Sequence, residues 1–406
     1  MKRYKVGSLF AGVGGVCLGF KNASYKDTGF ELAWANEMDE YACETYRTNF
    51  KHKLIPGDIV KVLDPKVFDK EIEELKEKNF SSEEAREKEI KKIEDLKAAY
   101  EKKHEEILEE KIDVLLGGFP CQAFSIAGER KGFEDDRGNL FLSIVELVNQ
   151  LDKKHGKPRI LFLENVKNLK SHDKGRTYEV IKAKLEETGY IIKEHVLNTM
   201  DYTDLPQNRE RIYIIGFLNK EDADKFDFFE RLDSYKKVKT LEERAEDVKN
   251  IIDYDSSYDE LKDYYYTKKK YPNYFITEEE YNNMPVSDRK AERINLDEQI
   301  NEMYQFYQVR RGMYVRKNMS GVCPTLTANM GTGGHNVPLI KVNDGIRKIT
   351  PEEAFKLQGF PVGDGYVLPA EYNGRAYAKS HLYKQAGNAV SVPVIKMLAE
   401  EILKIL

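Results

Sequence analysis

An α/β fold is what this sequence predicts: a doubly wound, mostly parallel sheet with a second, smaller domain. Three observations carry the prediction. Short apolar runs bounded by turn residues recur through the first 217 residues, with helix-compatible stretches between them, the pattern of strands buried on both faces. A glycine-rich turn follows the first run directly. Near Asn219 the alternation stops, and the chain becomes rich first in tyrosine and lysine, then in arginine, glycine and threonine.

Tyr4 to Phe10 is apolar, the glycine turn comes next, a helix-compatible stretch runs to Phe20, and a further apolar run covers Phe30 to Trp34. Together they predict a βαβ opening. Residues 112–118, 160–163 and 212–217 predict further buried strands. Residues 69–111 read as a charged helical insertion. Ser81 with Glu84 forms a capping-box signature, and Ile93, Leu96, Tyr100 and Ile107 make one thin apolar stripe, as in a solvated hairpin on the domain surface. Residues 254–275 and 310–338 are loop-heavy, and a helical pattern returns from Pro393 to Leu406. The expected division is residues 1–217 with 384–406 as one domain, and 218–383 as the second domain and its hinge. No internal repeat is visible.

Composition narrows the function classes. The chain has 406 residues, 33% charged and 41% hydrophobic, ordinary for a globular protein and unlike a disordered one. No apolar run is long enough to span a bilayer, and early glycines interrupt any signal-like core, so a cytoplasmic protein with no membrane partner is expected. Four cysteines, Cys17, Cys43, Cys121 and Cys323, stand far apart without a CxxC pair, which suggests neither a metal site nor a disulfide framework. Residues 69–111 hold 16 acidic and 11 basic side chains, the whole net charge of −5. The neutral remainder can still present a local basic cleft to phosphate.

In SLFAGVGG, Gly12, Gly14 and Gly15 follow the first strand, where backbone N–H groups can approach a ligand. The spacing misses GxGxxG, which disfavours a pyrophosphate cradle. Glu37 follows the second strand, where a carboxylate can accept both hydroxyls of a ribose. Asp58, in PGDI, can accept from an adenine amino group. Helix capping is the alternative for both. Ribose and adenine without pyrophosphate fit S-adenosylmethionine. The motif GGFPCQAFSIAG puts Cys121 just past a buried strand, behind a rigid proline and near Arg130, Lys131 and Arg137, cations that lower a thiol pKa; an inert cysteine is the alternative. Glu164, in LFLENV, ends another buried strand. Arg209 and Arg211, in QNRERIYIIG, alternate toward one side, where they can face an anion or a carbonyl oxygen. A buried Glu164–Arg211 ion pair is the structural alternative. A thiol, a carboxyl and two arginines at strand ends on one sheet edge favour a reaction site.

With these motifs in this order, followed by RKITPEEAFKLQGFP and KQAGNAVSVPV, the sequence resembles the DNA cytosine-5 methyltransferases of bacterial restriction-modification systems, from Tyr4 to about Phe217 and again from Arg310 to Val394. The resemblance implies a Rossmann-like, S-adenosylmethionine-dependent catalytic domain, with the second domain reading the target. It implies that Phe10, Gly12, Gly14, Glu37, Met38, Asp58, Ile59, Pro120 and Leu140, with Asn388 from the last motif, bind S-adenosylmethionine and its product S-adenosylhomocysteine. Cys121 becomes the nucleophile, Glu164 its partner, and Arg209 and Arg211 the supports of the target base and its phosphate. Ser125, Arg137, Arg310, Arg311 and Arg316 become DNA contacts. Ala127 stands where some relatives have serine, so no polar role falls to it. The implied partners are double-stranded DNA, met as a monomer that flips out its cytosine, and a separately acting restriction endonuclease; no metal is implied. The RNA-methylating branch of the same fold is an alternative, and a dinucleotide-dependent oxidoreductase and an inactive DNA-binding module are competing classes.

Overall fold

The expected βαβ opening is formed by β1 (Lys2–Leu9), α1 (Gly15–Asn22) and, after a short β2 (Ser24–Tyr25), β3 (Thr28–Glu37), in a computed structural model that describes residues 2–119, 139–290, 292–332 and 336–406. β1 and β3 run parallel, as a right-handed crossover through a helix requires. α2 (Glu40–Asn49) follows, capped by the Asp39 side chain, and leads to β4 (Lys53–Pro56), which pairs parallel with β3. After the insertion come β5 (Val114–Gly118), α6 (Asn139–His155), β6 (Ile160–Val166), α7 (Arg176–Glu187), β7 (Ile191–Asn198) and β8 (Glu210–Phe217).

The strand order is β2-β3-β1-β5-β6-β8-β7, with β4 also on β3. β1 lies between β3 and β5, so the winding reverses beside it, and the carboxyl ends of β1, β3, β5 and β6 share one edge. β2 and β8 depart from the parallel run: β2 is antiparallel to β3, and β8 is antiparallel to β6 in the register Glu164↔Tyr213 and Val166↔Arg211. Leu9, Trp34, Ile55, Leu115, Leu161 and Leu163 of the sheet bury against Ile144 and Leu147 of α6 and Ile181 and Leu185 of α7. A side chain at Gly7 would have its Cβ 2.3 Å from the Trp34 ring, so the strand must be bare there.

The insertion forms α4 (Val67–Glu77) and α5 (Glu83–Ile107). The cap is Ser82, whose hydroxyl accepts from Ala85 N at 3.2 Å, one residue beyond the expected Ser81. Ser82 has the extended backbone a cap needs, with φ −156°. Of the expected stripe, Tyr100 and Ile107 are buried and Ile93 packs on the core, whereas Leu96 is exposed.

Two compact units emerge: residues up to Val196 with Arg211–Glu230 and Lys396–Leu406, and Leu197–Glu210 with Arg231–Ile395. These bounds depart from the expected 217 and 384, because the QNR segment bonds within the second unit: Gln207 Nε2 donates to Leu357 O at 2.7 Å and Asn208 N to Cys323 O at 2.8 Å. The second unit holds an antiparallel sheet of β9 (Tyr265–Tyr266), β10 (Tyr307–Arg310), β11 (Tyr314–Lys317), β12 (Leu339–Val342) and β13 (Gly345–Lys348), ordered β11-β10-β12-β13-β9. Its core gathers Tyr266, Phe275, Leu296, Tyr307, Val309 and Leu339. Below it, Arg347 and Glu353, both buried, form a bidentate pair at 2.7 and 2.8 Å, and Glu353 closes a capping box with Thr350.

Candidate functional site

At the carboxyl end of β1 the chain turns sharply. Phe10, Gly12 and Gly14 all have left-handed backbone, φ 53°, 55° and 84°. A side chain at Gly14 would also run into the Phe50 ring, 2.2 Å from its Cβ, whereas above Gly12 the space is open. Gly12 N donates to Glu37 Oε2 at 2.8 Å, and Met38 N and Asp39 N donate to Oε1, each at 2.8 Å. Burial pushes the Glu37 carboxyl above the ordinary carboxylate value, and the three N–H groups oppose that shift by favouring its charged form.

Gly57 N donates to Glu37 O at 2.8 Å, which brings the PGDI turn alongside. Asp58 caps α3 (Ile59–Leu63) by accepting from Val60 N through Oδ1 at 3.0 Å. Its other oxygen has no partner among the described residues, so capping and ligand binding do not compete. The structure thus links Gly12, Glu37 and Asp58. Phe10 and Leu140 are half-buried against the neighbouring core and Ile59 is within it, while Met38 is exposed. Asn388 ends a helix of the second unit, Lys379–Asn388, and is exposed.

β5 leads to the proline-cysteine motif. Pro120, Cys121, Ser125 and Arg137 lie outside the described residues. The strand's last residue, Gly118, is in register with Glu164, and a Cβ there would sit 3.6 Å from Glu164 Oε2. Glu164 Oε1 pairs with Arg211 Nε at 3.0 Å, with both side chains largely buried. Antiparallel pairing of β6 with β8 puts Arg211 opposite Val166, two residues from Glu164 on the same face, so the pair closes diagonally. Asn165, to which sequence reasoning gave no role, donates from Nδ2 to Phe119 O at 2.7 Å and accepts from Val166 N at 2.8 Å. The ENV motif thereby anchors the chain one residue before Pro120. The three described cysteines are all buried, and burial raises each thiol, Cys43 to about 12, Cys17 and Cys323 likewise upward. None of them suits a nucleophile.

Arg209 departs from its expected role as a phosphate contact. It is 2% exposed, and its guanidinium donates to Leu326 O at 3.1 Å, Gly387 O at 3.2 Å and Ala389 O. A fork spent on three backbone carbonyls is a structural clamp within the second unit. Gly387 is required there, since a Cβ would lie 2.2 Å from the Thr327 carbonyl carbon. Of the arginines expected to meet DNA, Arg310 and Arg316 line one polar cleft of about 600 Å³ in the second unit, and Arg311 occupies the β10–β11 turn with φ 52°. Among the described residues no cluster suited to a metal ion is present, and no helix is long and apolar enough to cross a membrane.

Comparison with known proteins gives a consistent result. The family described as C-5 cytosine-specific DNA methylase matches residues 4–75 and 65–404. The chain is 42% identical over 401 residues to the Type II methyltransferase M.Bsp6I of Bacillus sp. (strain RFL6), covering 98% of each chain. It is 32% identical to M.HpaII of Haemophilus parainfluenzae, over 98% of this chain and 88% of that one. Among solved structures, the S. pombe Dnmt2 methyltransferase has the same fold, with a TM-score of 0.58 at 17% identity over 99% of both chains.

Proposed function

The chain belongs to the C-5 cytosine-specific DNA methylases and is a DNA cytosine-5 methyltransferase, and we propose that it works through Cys121, Glu164 and Arg211 on a cytosine turned out of duplex DNA. The observation that carries the assignment is Glu164. It is fixed by Arg211 through one oxygen, while the other lies on the side of Gly118, the end of the strand that leads to Cys121. Gly12, Glu37 and Asp58 hold S-adenosylmethionine in this reading. The open space over Gly12, the remaining acceptor capacity of Glu37 Oε2 and the Asp58 oxygen that has no partner among the described residues fit its ribose and adenine.

S-adenosylmethionine, when bound, supplies an electrophilic methyl group. Carbon 5 of cytosine is too weak a nucleophile to take it unaided. The Cys121 thiolate therefore adds to carbon 6, breaking ring conjugation and moving electron density onto carbon 5. Negative charge develops around ring nitrogen 3, where the Glu164 carboxyl hydrogen-bonds and lowers the barrier. Arg211, held in place by that carboxyl, steadies the ring carbonyl oxygen. Once carbon 5 carries the methyl it loses its proton to a base, the carbon–sulfur bond breaks, and Cys121 leaves as thiolate. The enzyme acts as a monomer in the cytoplasm in this reading, and the Type II naming of its relatives supports a separate restriction endonuclease as functional counterpart.

Bisulfite sequencing of a host expressing the protein identifies the modified site. A duplex with 5-fluorocytosine at that site, incubated with S-adenosylmethionine, should leave a denaturant-stable adduct on the wild-type chain, because the fluorine cannot leave as a proton does. Cys121→Ser should form no adduct while binding S-adenosylmethionine normally. A wild-type chain that methylates the site yet never traps the duplex would refute covalent catalysis through Cys121.

A further inference from the structure

We propose that Arg316 reads a guanine of the target and that Gln308 is the positioning residue that orients it; this rests on the DNA-methylating function above and names the specificity element of the second unit. β10 and β11 form a hairpin in the register Tyr307↔Lys317, Gln308↔Arg316 and Val309↔Val315. Period-two alternation sends Tyr307, Val309 and Val315 to the core and leaves Gln308, Arg310 and Arg316 on the cleft side. Gln308 is 4% exposed at the floor of that cleft, whereas Arg316, directly across the ladder, is exposed.

Arg316 Nη2 donates to Gln308 Oε1 at 2.8 Å, and Arg310 Nη1 reaches the same oxygen at 3.5 Å and Asn336 Oδ1 at 3.4 Å. Two guanidinium donors on one atom identify that atom as the amide oxygen. A buried amide carbonyl thus tethers one edge of an exposed guanidinium. No carboxylate ion pair with Arg316 appears among the described residues, although Glu210 lines the same cleft, and the guanidinium keeps further N–H donors in its plane.

Phosphate oxygens accept from many directions and need no such orientation. A base edge is planar and does. Guanine alone offers two adjacent acceptors, O6 and N7, to the major groove, and an oriented arginine matches them with a bidentate pair. Beside Glu210 and a Lys317 that pairs with Glu302, the cleft presents Asn318, Thr325 and Thr327, neutral groups suited to neighbouring base edges, and no run of lysines such as a phosphate track would need. Gln308 and Arg316 lie in no catalytic motif, and nothing in the sequence separated Arg316 from the other arginines until the register put Gln308 opposite it.

The test measures methyl transfer to duplexes carrying the site found by bisulfite sequencing, each guanine replaced in turn by 7-deazaguanine, which lacks N7. For the wild type, one replacement should lower kcat/KM roughly tenfold or more. Arg316→Lys should lower kcat/KM on the unmodified site by a similar factor and become insensitive to that same replacement. Gln308→Met, which keeps length and burial but loses the acceptor, should fall part of the way and lose most of the sensitivity. Arg316 is exposed, so its substitution leaves folding intact and keeps the test decisive even if Gln308→Met unfolds. Equal losses on specific and unrelated duplexes, with a salt slope smaller by about one, would mark Arg316 as a phosphate contact and overturn the proposal. So would a wild type indifferent to every 7-deazaguanine. In both cases 5-fluorocytosine trapping by the wild type shows that the methylating function stands; its absence would condemn that reading instead.

Discussion

Asn165 shows what one residue contributes that its motif does not announce. Its amide ties β6 to the carbonyl of Phe119, and Phe119 packs on Phe141 of α6, so the last described residue before the proline-cysteine motif is held from two sides. Asn165→Asp keeps the shape, removes the donor and sets a carboxylate against that carbonyl, a loss of about 1–3 kcal/mol at a buried polar contact. Methyl transfer should fall at least tenfold in kcat with the KM for S-adenosylmethionine within about twofold of wild type; an unchanged kcat would show that the anchor is dispensable. The pairing of Glu164 with Arg211 was legible because a carboxyl and a guanidinium at strand ends are conspicuous in apolar surroundings. The role of Arg209 was not. Its alternation with Arg211 was readable, but only the fold shows carbonyls of Leu326, Gly387 and Ala389 converging on it across more than a hundred residues of chain.

At the scale of elements, the charged insertion does more than solvate a surface. Tyr100, on the inner face of α5, accepts from Asp58 N at 3.3 Å, and a side chain at Gly57 would meet its hydroxyl at 2.7 Å. His104 bonds Val62 O at 2.9 Å one turn further on. α5 therefore braces the turn that presents Asp58. Tyr100→Phe removes only the hydroxyl and should raise the KM for S-adenosylmethionine several-fold with little change in kcat, since one modest hydrogen bond at a partly buried site is worth about 1 kcal/mol. Unaltered cofactor binding in titration calorimetry would confine the helix to a packing role. The parallel strands were legible as short apolar runs bounded by turn residues, and the insertion by its charge, capping signature and thin apolar stripe. The direction of β8 was not, because a strand buried on both faces reads the same in either direction. The sheet of the second unit escaped for another reason: its strands are two to four residues long, too short for alternation to register.

For the molecule as a whole, stability should depend on pH through a group to which the chemistry gives no role. His52 hydrogen-bonds the Tyr46 hydroxyl at 2.7 Å and shares a hollow with Lys21, Arg3 and Lys51, against the single carboxylate of Glu31 among the lining residues. Burial, aided by Lys21, lowers its pKa to about 4. A base whose folded pKa is depressed binds fewer protons folded than unfolded, so stability is fully present above the unfolded value near 6.5 and is lost as pH falls toward 4. Discounted for the solvent that screens a half-exposed ring, the loss is about 1–2 kcal/mol. Glu37, whose carboxyl is raised, acts in the opposite sense at acid pH, while His195 and carboxylates such as Asp222, all lowered, act in the same sense, so the wild-type profile alone mixes several groups. The difference between wild type and His52→Gln separates them. Urea midpoints at pH 7 and pH 5 should fall further for the wild type than for the variant, and parallel shifts would remove His52 from the acid limb.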